Sequence, residues 1–122
     1  MAQHNELGVR GEEIARAYLL SHNYTILAQN YRILKAEFDF IVRDLNQKLT
    51  FVEVKTRASE EDYAEKAVSN SKQKILFQGA ENYKLKHQIE EECFFDVISI
   101  QLLKNQEPKI LHIKDAFYDY EY

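Results

Sequence analysis

Two neighbouring segments of the chain carry charged residues at alternate positions. They are EFDFIVR (37–43) and KLTFVEVKTR (48–57). Alternation of apolar and polar residues predicts β-strands, and the DLNQ sequence (44–47) between them is typical of a turn. A β-hairpin would bring together charged side chains that could hold a metal ion or act on a phosphate. In the first segment the alternation predicts one face with Phe38, Phe40 and Val42 and another with Glu37, Asp39 and Ile41.

The register of this hairpin determines which charged residues are neighbours. Residues paired across an antiparallel hairpin have numbers with a constant sum, and a sum of 92 pairs Asp39 with Glu53 and Glu37 with Lys55. A sum of 91 would mix apolar and charged residues on both faces, so we expect a sum of 92. Opposed carboxylates ~5 Å apart repel by about 3 kcal/mol at an effective dielectric constant near 20. Either Lys55 or a divalent metal ion must offset that repulsion, and a solvated face with Lys55 bridging the carboxylates is the alternative to a metal site.

Two predicted helices carry further candidates. Apolar and small residues recur at helical spacing from Asn5 to about His22, and Glu12 lies among small residues whereas Glu13 lies on a different face. A second helix is predicted from about Glu65 to Lys86, with Lys72 on its inward face. A lysine there either extends out to solvent or points into a polar pocket. The rest of that face consists of Val68, Ile75, Gly79 and Tyr83.

The remaining segments complete a mixed α/β fold, which we expect to be one domain over residues 1–122. Strands predicted at 24–31, 94–102 and 109–113 give the order α-β-β-β-α-β-β. A central mixed sheet flanked by helices is the expected architecture.

The composition fits a small globular protein, with 45% hydrophobic and 30% charged residues. The chain has one cysteine, Cys93, no apolar run that could span a membrane, and no secretion signal that we recognise, so a cytoplasmic location is expected. The net charge of −4 argues against nonspecific nucleic-acid binding. The positive charge is concentrated in residues 32–86, which carry eleven basic and nine acidic side chains.

Taken in order, these residues resemble the YraN family of small bacterial proteins, which belongs to the PD-(D/E)XK, restriction-endonuclease-like nuclease superfamily. The resemblance extends over nearly the whole chain. The matching residues are GE at 11–12, EFDFI at 37–41, FVEVKTR at 51–57, KQ at 72–73 and FDVI at 95–98. An acidic residue followed by Glu-x-Lys is a weak motif alone, but the ordered set is specific.

The resemblance implies a restriction-endonuclease-like fold and a role for each site residue. Mg²⁺ (or Mn²⁺) would be held by Asp39, Glu53, the backbone carbonyl of Val54 and Glu12. Lys55 would orient or activate the attacking water and stabilise charge on the phosphate. Accessory residues would be Glu37, Lys72 and Gln73. Asp96, in the last matching segment, has no metal partner in this pattern, and we expect it to bond to the backbone.

The function expected from this resemblance is a Mg²⁺-dependent endonuclease that acts on DNA or a structured nucleic acid. Cleavage of a duplex by so small a domain would favour two copies, so a homodimer is one open alternative. A noncatalytic nucleic-acid-binding or assembly module with the same fold is a second hypothesis, and a protein-interaction domain that uses the tyrosine-rich tail is a third. The basic residues expected to contact a phosphate backbone are Arg32, Lys35, Arg57 and Lys74.

Overall fold

A five-stranded sheet with a helix on each face forms the part of the chain that the computed structural model describes, residues 6–58 and 68–118. The elements follow the predicted order α-β-β-β-α-β-β. They are α1 (Glu6–Ser21), β1 (Thr25–Ile33), β2 (Ala36–Arg43), β3 (Leu49–Arg57), α2 (Asn70–Lys86), β4 (Cys93–Gln101) and β5 (Lys109–Ile113). Neither of these helices is long and apolar enough to cross a membrane.

The sheet is mixed, as predicted. Its spatial order is β1-β2-β3-β4-β5, and every neighbouring pair is antiparallel except β3 and β4, which are parallel. Parallel neighbours need a crossover connection, and the segment that contains α2 provides it. The crossover places α2 directly after the strand that carries the Glu-x-Lys sequence.

Successive residues of β3 point into different cores on the two faces of the sheet. Phe51 packs with residues of α2, in a cluster that we call the α2-side core, and Val52 packs with residues of α1 in the α1-side core. The buried helix residues of the α2-side core are Leu76, Ala80 and Tyr83, and those of the α1-side core are Ala15 and Leu19. The charged residues of β3 therefore lie between two packed layers.

The prediction that β2 alternates regularly between two faces is wrong at Asp39. Phe38 belongs to the α2-side core, whereas Phe40 and Val42 belong to the α1-side core. Phe38 and Phe40 therefore point to opposite faces of the sheet, although side chains two residues apart in a regular strand share a face. On the neighbouring strand, Asn30 lies between the partners of these two residues and has a φ of 53°, a left-handed conformation that bends a strand.

The predicted β2–β3 register, with a sum of 92, is confirmed from Arg43–Leu49 to Phe40–Val52. The ladder stops there, so the predicted Asp39–Glu53 and Glu37–Lys55 pairs are not ladder pairs. Residues 36–38 are paired with β1 alone. At this end β2 stays beside β1 and separates from β3.

Helix α2 begins at Asn70, later than the predicted start near Glu65. Ser69 is its N-cap, and the Ser69 hydroxyl accepts a hydrogen bond from the Lys72 N–H at 3.2 Å. A serine cap satisfies a backbone donor that has no partner in the first helical turn. Val68 precedes the cap and packs against the α2-side core, while residues 65–67 of the predicted helix lie outside the described residues.

Asp96 bonds to the backbone, as expected, and also joins a buried side-chain network. One carboxylate oxygen accepts a hydrogen bond from the Asp115 N–H at 2.9 Å, and the other lies 2.7 Å from His112 Nε2. The opposite ring nitrogen of His112 lies 2.9 Å from the Tyr18 hydroxyl. These bonds connect α1, β4 and β5.

Helix α1 lies close against β3 at Gly11. A β-carbon at this position would lie 2.8 Å from both Cβ and Cγ2 of Thr56, closer than carbon atoms pack. The contact sets the distance of the first helical turns from the end of β3, and Glu12 follows Gly11 directly.

We expect Gly11→Ala to lower the free energy of unfolding by roughly 1–3 kcal/mol, because the added methyl group overpacks the contact with Thr56. In an exposed helix the same change stabilises by about 1 kcal/mol. Urea unfolding measures the difference, and adding Thr56→Ala should recover part of the loss. A Gly11→Ala protein as stable as the wild type would contradict the close approach.

Candidate active site

Asp39 reaches across the gap where β2 separates from β3. The Val54 N–H donates a hydrogen bond to Asp39 Oδ2 at 2.7 Å, so a carboxylate replaces the backbone acceptor that a continuing ladder would supply. The bond fixes Asp39 against β3 next to Glu53 and Lys55, the residues on either side of Val54. The sequence prediction that these three charged residues lie close together therefore holds, through a side-chain bond rather than through strand pairing.

Glu53 is a buried carboxylate with two ammonium neighbours. It is 7% exposed, and its Oε2 contacts Lys72 Nζ from α2 and lies 3.7 Å from Lys55 Nζ. A buried charge without a partner would cost several kcal/mol, so this pairing explains how the strand tolerates a glutamate here. Lys72 thus directs its ammonium to a buried carboxylate, while its side chain stays partly exposed.

The pKa of Asp39 is raised from its ordinary value of 3.8 to about 8. Burial of the carboxyl group is the largest cause, followed by repulsion from the Glu53 carboxylate, and the Glu12 carboxylate adds to it. The Val54 N–H and the Lys72 ammonium act in the opposite direction. Burial and the neighbouring carboxylates thus outweigh the Val54 N–H and the Lys72 ammonium in setting the pKa of Asp39.

The pKa of Lys55 is lowered, mainly by burial and then by the Lys72 ammonium, while the carboxylates of Glu53 and Asp39 oppose the shift. Lys55 is paired across the parallel β3–β4 ladder with Ser99, which is 8% exposed. Sequence reasoning missed Ser99 as a neighbour of the site. Its position follows from the parallel register of two strands that lie far apart in sequence, and no local sequence pattern predicts that register.

Glu12 approaches the site from the α1 side of the sheet, and its carboxylate acts on Asp39 electrostatically. Glu13 is exposed, which favours Glu12 as the carboxylate that α1 contributes. Because α1 and α2 cover opposite faces, Glu12 and Lys72 reach the gap between β2 and β3 from opposite sides.

The other predicted residues lie at varying distances from this centre. Glu37 is opposite Arg32 on β1, with Oε1 and Nη2 3.9 Å apart. Gln73 donates from Nε2 to the Val68 carbonyl at 3.2 Å and so holds the segment before α2. Lys35 is exposed in the β1–β2 turn and Lys74 is exposed on α2, whereas Arg57 ends β3 close enough to Lys55 to lower its pKa.

The donors present fit a hard divalent cation held by few protein ligands. Within residues 6–58 and 68–118, no three His, Cys, Asp or Glu side chains form a group that could hold a metal ion. Mg²⁺, however, is commonly bound by one or two carboxylates together with waters. The carboxylates of Asp39 and Glu53 and the carbonyl of Val54 are oxygen donors of that kind. Such a cation would reduce the repulsion from the carboxylates of Glu53 and Glu12, which adds to burial in raising the pKa of Asp39.

We expect Asp39→Asn to stabilise the metal-free protein at pH 9 by about 1–3 kcal/mol and to leave it nearly unchanged at pH 5. The folded-state pKa lies above 3.8, so the stability contributed by the neutral carboxyl is lost as pH rises from about 4 to 8. Asparagine stays neutral and still offers an oxygen to the Val54 N–H. Thermal unfolding in a chelator at the two pH values measures the effect.

The matched control for this experiment is Glu13→Gln, which removes a carboxylate from an exposed position of the same protein. Its stability difference from the wild type should not change between pH 5 and pH 9. If Asp39→Asn behaves like this control, the Asp39 carboxyl does not carry the raised pKa.

Comparison with known proteins identifies relatives along most of the chain. The model of Uncharacterised protein family UPF0102 matches residues 11–100. A UPF0102 protein of Christiangramia forsetii is 42% identical over 120 residues, which cover 97% of this chain and 98% of that protein. A UPF0102 protein of Chlorobium phaeobacteroides is 40% identical over 118 residues, which cover 91% and 92%. These matches confirm the resemblance to the YraN family, and the chain belongs to this family, UPF0102.

Proposed function

We propose that the protein is a Mg²⁺-dependent endonuclease that hydrolyses phosphodiester bonds in DNA or a structured nucleic acid. The observation that carries the proposal is the bond between the Val54 N–H and Asp39 Oδ2, which holds one carboxylate beside Glu53 and Lys55. Two acidic oxygen donors, one from β2 and one from β3, and an ammonium from β3 meet here, and such a set can hold a divalent ion and stabilise charge on a phosphate.

In this proposal Asp39, Glu53 and the Val54 carbonyl hold the metal ion, and Glu12 adds negative charge from α1. A divalent ion bound there would neutralise the phosphate and lower the pKa of a coordinated water. Lys55 would donate hydrogen bonds to the phosphate oxygens, where negative charge develops during the reaction. Its lowered pKa also makes this lysine a better proton carrier than one in water.

Basic side chains near the ends of β1 and β3 would contact the nucleic-acid backbone. Arg57 follows Lys55 on the same strand by two residues, and Arg32 and Lys35 lie at the far end of β1. Contacts of this type position a substrate without reading its sequence. Because the net charge of the chain is −4, attraction to nucleic acid must come from these few basic side chains. Their contacts with phosphates should weaken as the salt concentration rises.

We expect the protein to cleave one or more of a panel of linear, branched and single-stranded nucleic acids in Mg²⁺ or Mn²⁺. Asp39→Ala and Glu53→Ala should each reduce cleavage to the level seen in a chelator, because each removes an oxygen donor. Lys55→Ala should slow cleavage by roughly 10²–10⁴-fold without abolishing substrate binding. Rates are measured under single-turnover conditions, and binding is measured separately in Ca²⁺.

Glu13→Gln is the control for this experiment, since it changes the charge of α1 at an exposed position next to Glu12. Cleavage that persists in both alanine variants would come from another site or from a contaminant and would contradict the assignment. A circular dichroism spectrum of each variant excludes loss of fold as the cause.

A noncatalytic nucleic-acid-binding or assembly module is the second candidate. The observation in its favour is that Glu53 is already neutralised by the ammonium groups of Lys72 and Lys55, so the fold needs no metal to bury this carboxylate. This candidate predicts salt-dependent binding of nucleic acid, no cleavage with any metal, and unchanged binding in Lys55→Ala.

A further inference from the structure

We infer that Lys72 is an internal counter-cation that competes with the metal ion for Glu53 and thereby sets the metal affinity of the site. This inference rests on the proposed function, because it concerns the same carboxylates. It adds a regulatory role for a residue of α2 that the Glu-x-Lys sequence does not include.

The contacts of Glu53 supply the first step of the argument. Lys72 Nζ contacts Glu53 Oε2 directly, while Lys55 Nζ lies 3.7 Å from the same oxygen. The side chain of Glu53 is 9% exposed, so few other directions of approach to this carboxylate remain. A metal ion that coordinates this oxygen must take the place of the nearest ammonium, and that ammonium belongs to Lys72.

Exposure shows that Lys72 is the lysine able to leave. Its side chain is 40% exposed, against 29% for that of Lys55, and it extends from the first turn of a surface helix. The helix start is fixed by the Ser69 cap and by the bond from Gln73 Nε2 to the Val68 carbonyl. Release of Glu53 therefore requires only a rotamer change of a flexible side chain, with no movement of the backbone.

The electrostatics of the gap supply the third step. The ammonium groups of Lys72 and Lys55 both lie against Glu53 Oε2, so two like charges share one carboxylate oxygen. Removal of the Lys72 ammonium leaves the carboxylates of Glu53 and Asp39 with less positive charge beside them. A metal ion that replaces this ammonium is then bound more favourably. A metal ion and Lys72 are thus alternative occupants of the same carboxylate environment.

The test is a calorimetric titration of the metal-free protein with Mn²⁺ for the wild type, Lys72→Met and Lys86→Met. Lys72→Met should bind Mn²⁺ roughly tenfold more tightly than the wild type, because the competing ammonium is gone. Lys86→Met removes the same charge from the exposed last residue of α2 and should change the affinity less than about twofold. Mn²⁺ should also raise the unfolding temperature more in Lys72→Met than in the wild type.

Each outcome has a separate meaning. Equal Mn²⁺ affinity in the wild type and Lys72→Met, or weaker binding in Lys72→Met, overturns the competition while the metal site itself stands. Absence of binding in every protein, Lys72→Met included, overturns the proposed metal site and the competition with it. If methionine at position 72 prevents folding, Lys72→Gln provides the same loss of charge, and the same tenfold increase is expected.

Discussion

The hydrogen bond between the Val54 N–H and the Asp39 carboxylate is the interaction on which the candidate site depends. The β2–β3 ladder ends at Phe40 and Val52, and β3 continues without its partner. A half-buried backbone donor at this point would be costly to leave unpaired, and the carboxylate satisfies it. One bond therefore both repairs the end of the ladder and positions an acidic group beside Glu53 and Lys55.

A balance of charge maintains this arrangement. Glu53 is buried between the ammonium groups of Lys55 and Lys72, whereas Asp39 accepts a hydrogen bond from a backbone N–H and keeps a raised pKa in spite of the Lys72 ammonium. The protein thus stabilises one carboxylate with its own cations and leaves the other under repulsion. These two carboxylates are compatible with a stable fold in the absence of metal. They also offer oxygen atoms to a divalent cation, which would relieve the repulsion between them.

The sequence predicted the element order, and it predicted the β2–β3 register from Arg43 to Phe40 because a two-residue period specifies which side chains share a face of a strand. Asp39 lies close to Glu53, as predicted, but through its bond to the Val54 N–H and not through the predicted ladder pair. It did not predict the change of face at Asp39, which accompanies the left-handed conformation of Asn30 on the neighbouring strand. Nor did it predict Ser99 as a neighbour of Lys55, since that contact depends on a parallel pairing between strands separated by a helix. Contacts between residues that are close in sequence could be predicted, whereas contacts that depend on the pairing of distant strands could not.

The most direct test of the account is a crystal structure of the protein grown with Mn²⁺ and measured at a wavelength where manganese scatters anomalously. If Asp39 and Glu53 hold the metal ion, one strong anomalous peak will lie in contact with both carboxylates, and the Lys72 ammonium will be displaced from Glu53. A peak bound elsewhere, or no peak while Lys72 still contacts Glu53 at saturating Mn²⁺, would contradict it.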